Sequence, residues 1–154
     1  MIIKRLLNIA ALVGIAFATT VAQAPDPLSG TWKLNATKSK APYATGTTVF
    51  EAAGDTLKGT VDLVATDGTK FHWTFSAPFD GKDHPATGNS PFGDTLAITR
   101  VNPSTVRIVS KLAGKQTIVQ TIVVAPDGKT RTTTAKGTDA KGQPVDSMSF
   151  YEKQ

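Results

Sequence analysis

His72 and His84 are the only imidazoles in this 154-residue chain, and Asp80 and Asp83 lie close to His84. A metal ion needs three or four converging ligands. The 80–84 stretch supplies only a loose Asp/Asp/His set, and His72 stands on a separate element. A general base must also reach the proton it removes, yet no nucleophile pairs with either histidine. Every Ser and Thr has a sufficient explanation in a turn or a strand. With no cysteine anywhere, thiol catalysis and thiolate metal sites are excluded. The residues therefore point to no catalytic group, no metal and no cofactor.

What remains is binding chemistry. Arg100 shares its alternation with Leu96 and Ile98, and Gln120 shares its own with Ile118 and Ile122. A guanidinium turned inward needs a partner, either an internal acid or the anionic head of a ligand. Phe71, Trp73 and Phe75 alternate on one strand face. They either fill a core or form the wall of a pocket, which is typically apolar with a few placed polar groups. Arg100, Gln120, Phe71, Trp73 and Phe75 are thus the candidate ligand contacts.

Strands must carry these residues. Gly30 to Leu34, Thr47 to Ala53 and Thr56 to Thr66 read as strand, and in the last of these Leu57, Val61 and Leu63 oppose Lys58, Thr60 and Asp62. Asp67-Gly68 is a strong hairpin signal because both positions tolerate positive φ. Lys70 to Phe79 follows, then a loop from Asp83 to Gly93 rich in Pro, Gly, Asn and Ser. Five more strands run over 95–101, 105–112, 116–125, 130–137 and 145–153, joined by turns such as Asn102-Pro103 and Pro126-Asp127-Gly128. No later window has helical periodicity, and the wealth of Thr and Val suits pleated surfaces.

Short sequential links make a meander, and a meander of eight to ten strands must hide its edges. The expected fold is all-β, a single antiparallel up-and-down barrel of about 8–10 strands. A two-sheet sandwich is the alternative, although its crossing connections are usually longer. A barrel of this size has room inside for side chains or one small ligand.

Residues 1–24 read as a secretory signal, followed by one barrel domain over 25–154. Lys4 and Arg5 precede an apolar run from Leu6 to Ala18, and small residues follow. Cleavage after Ala24 would leave Pro25 first, so cleavage after Ala22 competes with it. The run is shorter than the roughly 20 residues of a spanning helix, although a retained anchor is the other reading. The expected location is therefore periplasmic or secreted. Removing Lys4 and Arg5 from 17 basic residues against 12 acidic ones leaves a small positive balance. Its charges are scattered, which argues against a nucleic-acid partner. Lys58, Asp62, Arg107 and Lys111 on the faces opposite the apolar ones argue against stable membrane insertion as an outer-membrane barrel.

The opening Gly30-Thr31-Trp32-Lys33-Leu34 resembles the first strand of the calycins, the lipocalin and fatty-acid-binding protein superfamily, and Tyr151-Glu152-Lys153 resembles the last strand of fatty-acid-binding proteins. The mature length is similar to a family of exported bacterial proteins, without an assigned function, that begin Gly-Thr-Trp-Lys-Leu-Asn and end near Tyr-Glu-Lys. The resemblance implies a lipocalin-like barrel whose base is formed by Gly30 and Trp32, with Lys153 across the indole and Arg100 behind it as second candidate. Departures accompany it. The two helices of fatty-acid-binding proteins have no space after Asn35, and Ser149 stands where their clamp has an Arg before the terminal Tyr. The helix and disulfide of typical lipocalins are missing.

The functional expectation is a non-catalytic carrier of a small hydrophobic or anionic amphipathic ligand. One alternative is a solid-core envelope or protein-interaction module. A second is an isomerase or lyase on a calycin-like barrel, which needs an ionisable group of shifted pKa in the pocket.

Overall fold

In the computed structural model, residues 23–154 are described. The signal peptide expected over 1–24 lies almost wholly outside them.

Ten antiparallel strands follow one another around a closed barrel: β1 (Gly30–Leu34), β2 (Tyr43–Ala53), β3 (Thr56–Ala65), β4 (Lys70–Pro78) and β5 (His84–Gly88), then β6 (Thr95–Asn102), β7 (Thr105–Leu112), β8 (Lys115–Val124), β9 (Thr130–Thr138) and β10 (Pro144–Lys153). Every strand pairs with its sequence neighbours, and β1 closes on β10 through Trp32 opposite Lys153 and Leu34 opposite Tyr151. Closure leaves no sheet edge to recruit another chain. The up-and-down barrel stands, and the sandwich does not. Such a barrel is compatible with a lipocalin-like fold.

Two differences from the sequence reading have local causes. β2 begins at Tyr43, well before Thr47, with a register irregularity between Tyr43 and Thr45. The stretch expected as a loop after Asp83 contains β5, His-Pro-Ala-Thr-Gly, which shows no apolar alternation. Pro85 also lacks an amide hydrogen for the ladder. The β5–β6 seam is accordingly short, His84 opposite Leu96 and Pro85 opposite Thr95.

The inner face holds the core, including Phe50, Leu57, Trp73, Phe75, Ile98, Val106, Ile118 and Ile122. Gly59 lies inward on β3 directly opposite Phe75. A β-carbon there would come within 2.3 Å of the Phe75 ring, so this strand glycine makes room for an aromatic. Phe75 then meets Phe50 edge-on at 6.2 Å. Outward positions carry Glu51, Lys58, Asp62, Arg107 and Lys136, all exposed.

The two barrel ends differ. One end, where β1 starts and β10 finishes, is plugged by Leu28 and Trp32, neither with any exposed surface. Trp32 Nε1 donates to the Leu28 carbonyl at 2.9 Å, which satisfies the polar atom of a wholly buried indole. The other end carries the turn at Asp67-Gly68, the Asn89–Asp94 connection, the Ala113-Gly114 turn and the Asp139–Gln143 loop.

Candidate functional site

A small cavity of about 60 Å³ lies inside the barrel. Its apolar lining includes Phe50, Val61, Trp73, Phe75, Phe92, Ile108 and Ile122. The buried polar residues among those described are Thr48, Ser110, Arg131, Thr133 and Ser149. All of them line this one cavity. Polar side chains inside a protein cost free energy unless they are paired, so their collection at a single place marks it as different from the rest of the core.

Arg131 dominates the group. It leads the inward face of β9, with Thr133 and Ala135 behind it, and stands opposite Tyr151 of β10. Its guanidinium carbon lies 3.9 Å from the centroid of the Tyr151 ring, 5.0 Å from Phe50 and 5.4 Å from Trp32. Nη1 donates to Thr133 Oγ1 at 2.7 Å. Nε is buried without a hydrogen-bond partner, and among the described residues no carboxylate forms an ion pair with this group. Burial pulls the guanidinium down to about 10, with Tyr151 acting in the opposite sense. It remains a cation at neutral pH. The ring stacking contributes some compensation, while burial disfavours the charged form.

Tyr43 lines the same cavity nearer the open end. Burial, reinforced by Tyr151 and Asp139, pushes its phenol well above the ordinary range. At neutral pH it is a hydrogen-bond donor and acceptor, not a base.

The residues singled out from sequence separate into three places. Gln120, Trp73 and Phe75 line the inner cavity. Phe71 is half-buried nearer the open end and lines two outer depressions instead. Arg100 lies apart from both groups. It shares the inward alternation, but β6 reaches the plugged rim there. Arg100 Nη2 meets Asp26 Oδ2 at 2.7 Å, Nη1 donates to the Pro103 carbonyl, and the guanidinium lies 4.1 Å from the Phe79 ring. Of the two partners open to it from sequence, the acid is the one found.

Lys153 Nζ lies 5.0 Å from the Trp32 ring, and Gly30 accommodates its chain, since a β-carbon there would come within 2.5 Å of Lys153 Cε. The second cation near Trp32 is Arg131, not Arg100. The sequence contained a signal for it. Alternation from Ala135 back through Thr133 places Arg131 on the inner face, but both faces of this threonine-rich strand look polar.

The histidines do not converge. His72 Nδ1 meets Asp62 Oδ1 at 2.6 Å on the exposed outer surface, and His84 Nε2 meets Asp80 at 3.1 Å near the β4–β5 link. Asp83 pairs with Lys111 at 2.7 Å. No group of ligating side chains able to hold a metal occurs among the described residues.

At the open end a wider basin of about 700 Å³ is lined by Pro42, Tyr43, Phe71, Pro91, Phe92, Ala140, Val145 and neighbouring polar residues. Tyr43, Ser90, Phe92 and Ser147 border both this basin and the inner cavity.

Comparison with protein-family models and with curated proteins finds no match to this chain.

Proposed function

We propose that this is an exported, non-catalytic carrier that binds a small amphipathic anion, its charged end at Arg131 and its apolar part toward the open end of the barrel. The carrying observation is the buried Arg131 guanidinium without a carboxylate partner, its Nε unsatisfied beside a cavity that gathers the buried polar side chains. A buried cation left alone is costly. A carboxylate reaching Arg131 would complete the charge pair, since guanidinium and carboxylate match as a planar, charge-assisted pair. A single positive charge suits a singly charged head. The apolar walls and the basin suit a hydrophobic body. The periplasmic or secreted location rests on the reading of residues 1–24.

The test compares dodecanoate with dodecanol, by calorimetry, on the mature protein and on Arg131→Met. Dodecanoate should bind the parent protein at least tenfold tighter than dodecanol, a difference of about 1.4 kcal/mol, and Arg131→Met should erase that preference. Equal affinities in the parent protein would refute the anion clamp. A solid-core interaction module is the second reading, favoured by the small inner volume. Failure of both probes, together with a clean mass for protein released gently from its own compartment, would support it.

A further inference from the structure

With about 60 Å³ the inner cavity holds only a few water molecules. The basin outside is more than large enough for a small organic body. Phe92 stands between them, beside Tyr43, Ser90 and Ser147. It is buried, borders both spaces, and meets Trp73 edge-on with ring centroids 5.9 Å apart and planes at 88°. Trp73 itself belongs to the inner wall alone.

The segment that carries Phe92 is anchored at both ends and lightly held between. At one end Asn89 is fixed to β4: its amide donates to the His72 carbonyl, its Nδ2 to the Lys70 carbonyl, and its Oδ1 accepts from the His72 amide. At the other end the Asp94 amide donates to the Lys111 carbonyl, its carbonyl accepts from Ala86, and its side chain accepts from the Ala113 amide. Gly88 and Gly93 let these anchors lie flush on their neighbours. Both have positive φ, and a β-carbon would come within 2.2 Å of the His72 carbonyl oxygen or 2.1 Å of that of Lys111. Between the anchors, only two bonds tie Ser90–Gly93 to other elements. The Ala140 amide donates to the Pro91 carbonyl at 3.0 Å, and the Thr117 hydroxyl donates to the Phe92 carbonyl. Ala140 lies in an exposed loop.

We infer that Phe92 is a displaceable plug that decides which ligands reach Arg131, swinging with Ser90–Gly93 while Asn89 and Asp94 stay fixed. This rests on the ligand-binding reading above. With the ring seated, only a group the size of a few waters fits beside the guanidinium. A longer amphiphile must move the ring out and occupy its place against Trp73. The ligand class is therefore a chain or slender ring with an anionic terminus, able to replace a benzyl group in contact with Trp73.

Stopped-flow binding of 11-(dansylamino)undecanoate to the mature protein, read through tryptophan-to-dansyl energy transfer, tests this. If the open state is a minor population, removing the ring should raise the apparent association rate by the reciprocal of that fraction, about tenfold or more. Phe92→Ala should show this acceleration. Thr117→Val, which keeps the ring but removes a restraint, should show a smaller acceleration and covers the case in which Phe92→Ala does not fold. Binding with equal rates in parent and variants would overturn the plug while leaving the carrier reading intact. No binding to the parent protein or to either variant would overturn both.

Discussion

At the plugged rim Arg100 has the Asp26 carboxylate at 2.7 Å, an aromatic ring beside it and partial access to water. Arg131, farther inside, has three aromatic rings and one threonine hydroxyl. The two arginines obey the same strand alternation and end in opposite electrostatic states. The plugged rim is finished: its indole nitrogen donates to Leu28, the Arg100 guanidinium is paired with Asp26, and Lys153 lies over the Trp32 ring. The interior just beneath that rim is unfinished, with the unsatisfied Arg131 Nε and a cluster of polar side chains around a small void. Unpaired buried groups persist against their cost where something other than stability retains them, and this contrast directs the functional reading to Arg131.

The largest expected effect tests the finished end. Trp32→Ala removes a fully buried indole, its bond to Leu28 and the surface on which Lys153 and Arg131 rest. Loss of about 3–5 kcal/mol is expected from truncating a buried aromatic of this size, measured as a shift of the urea midpoint. A loss below about 1 kcal/mol would mean that Trp32 does not close the barrel.

The next effect sets the arginines against each other by sign. Arg100→Ala strands Asp26 near the surface and should cost about 1–2 kcal/mol, with probe binding unchanged. Arg131→Met replaces a desolvated, unpaired cation by an apolar chain, and should leave the ligand-free protein as stable or more so, by about 1 kcal/mol. Burial, which depresses the Arg131 pKa, acts in that direction. Thermal unfolding of both variants without ligand decides it. Clear destabilisation by Arg131→Met would make its stacking structural and remove the contrast.

The barrel was legible because its signals are local. Alternation in Thr56–Ala65 and Lys70–Pro78, with Asp67-Gly68 between them, specifies a hairpin without outside information. β5 was not legible, because Pro85 and Gly88 mask a strand that pairs only in fragments. The inward parity of Trp73 and Phe75 followed from alternation. The place of Arg100 did not, because it depends on how far along the barrel axis an inward residue falls, and Arg131 was not singled out because both faces of its strand look polar. Asp26 reaches Arg100 from a segment before β1, a contact that no spacing rule encodes. Phe92 likewise looked like one residue of a polar loop until the fold laid it on Trp73.

The smallest expected effect concerns Tyr43, where the inner cavity meets the basin. Its phenol is held well above its ordinary value, chiefly by burial. In the unfolded chain the same phenol ionises at about pH 10. Below that pH both states carry the proton and Tyr43 adds no pH dependence. Above it the unfolded chain releases a proton that the folded barrel retains, so stability falls as pH rises. Tyr43→Phe removes this linkage. The parent protein should therefore lose stability more steeply than the variant between about pH 10 and 11, and the two should run parallel from pH 6 to 9. Urea titrations across that range measure it. Arg131 works in the opposite direction, because its depressed pKa means that the unfolded chain binds more protons above pH 10. In the Arg131→Met background that opposing contribution is gone, and the net alkaline loss of stability should become steeper, with the difference made by Tyr43→Phe unchanged. Identical alkaline slopes with and without Tyr43 would mean that the phenol is hydrated in solution, from the basin that it borders.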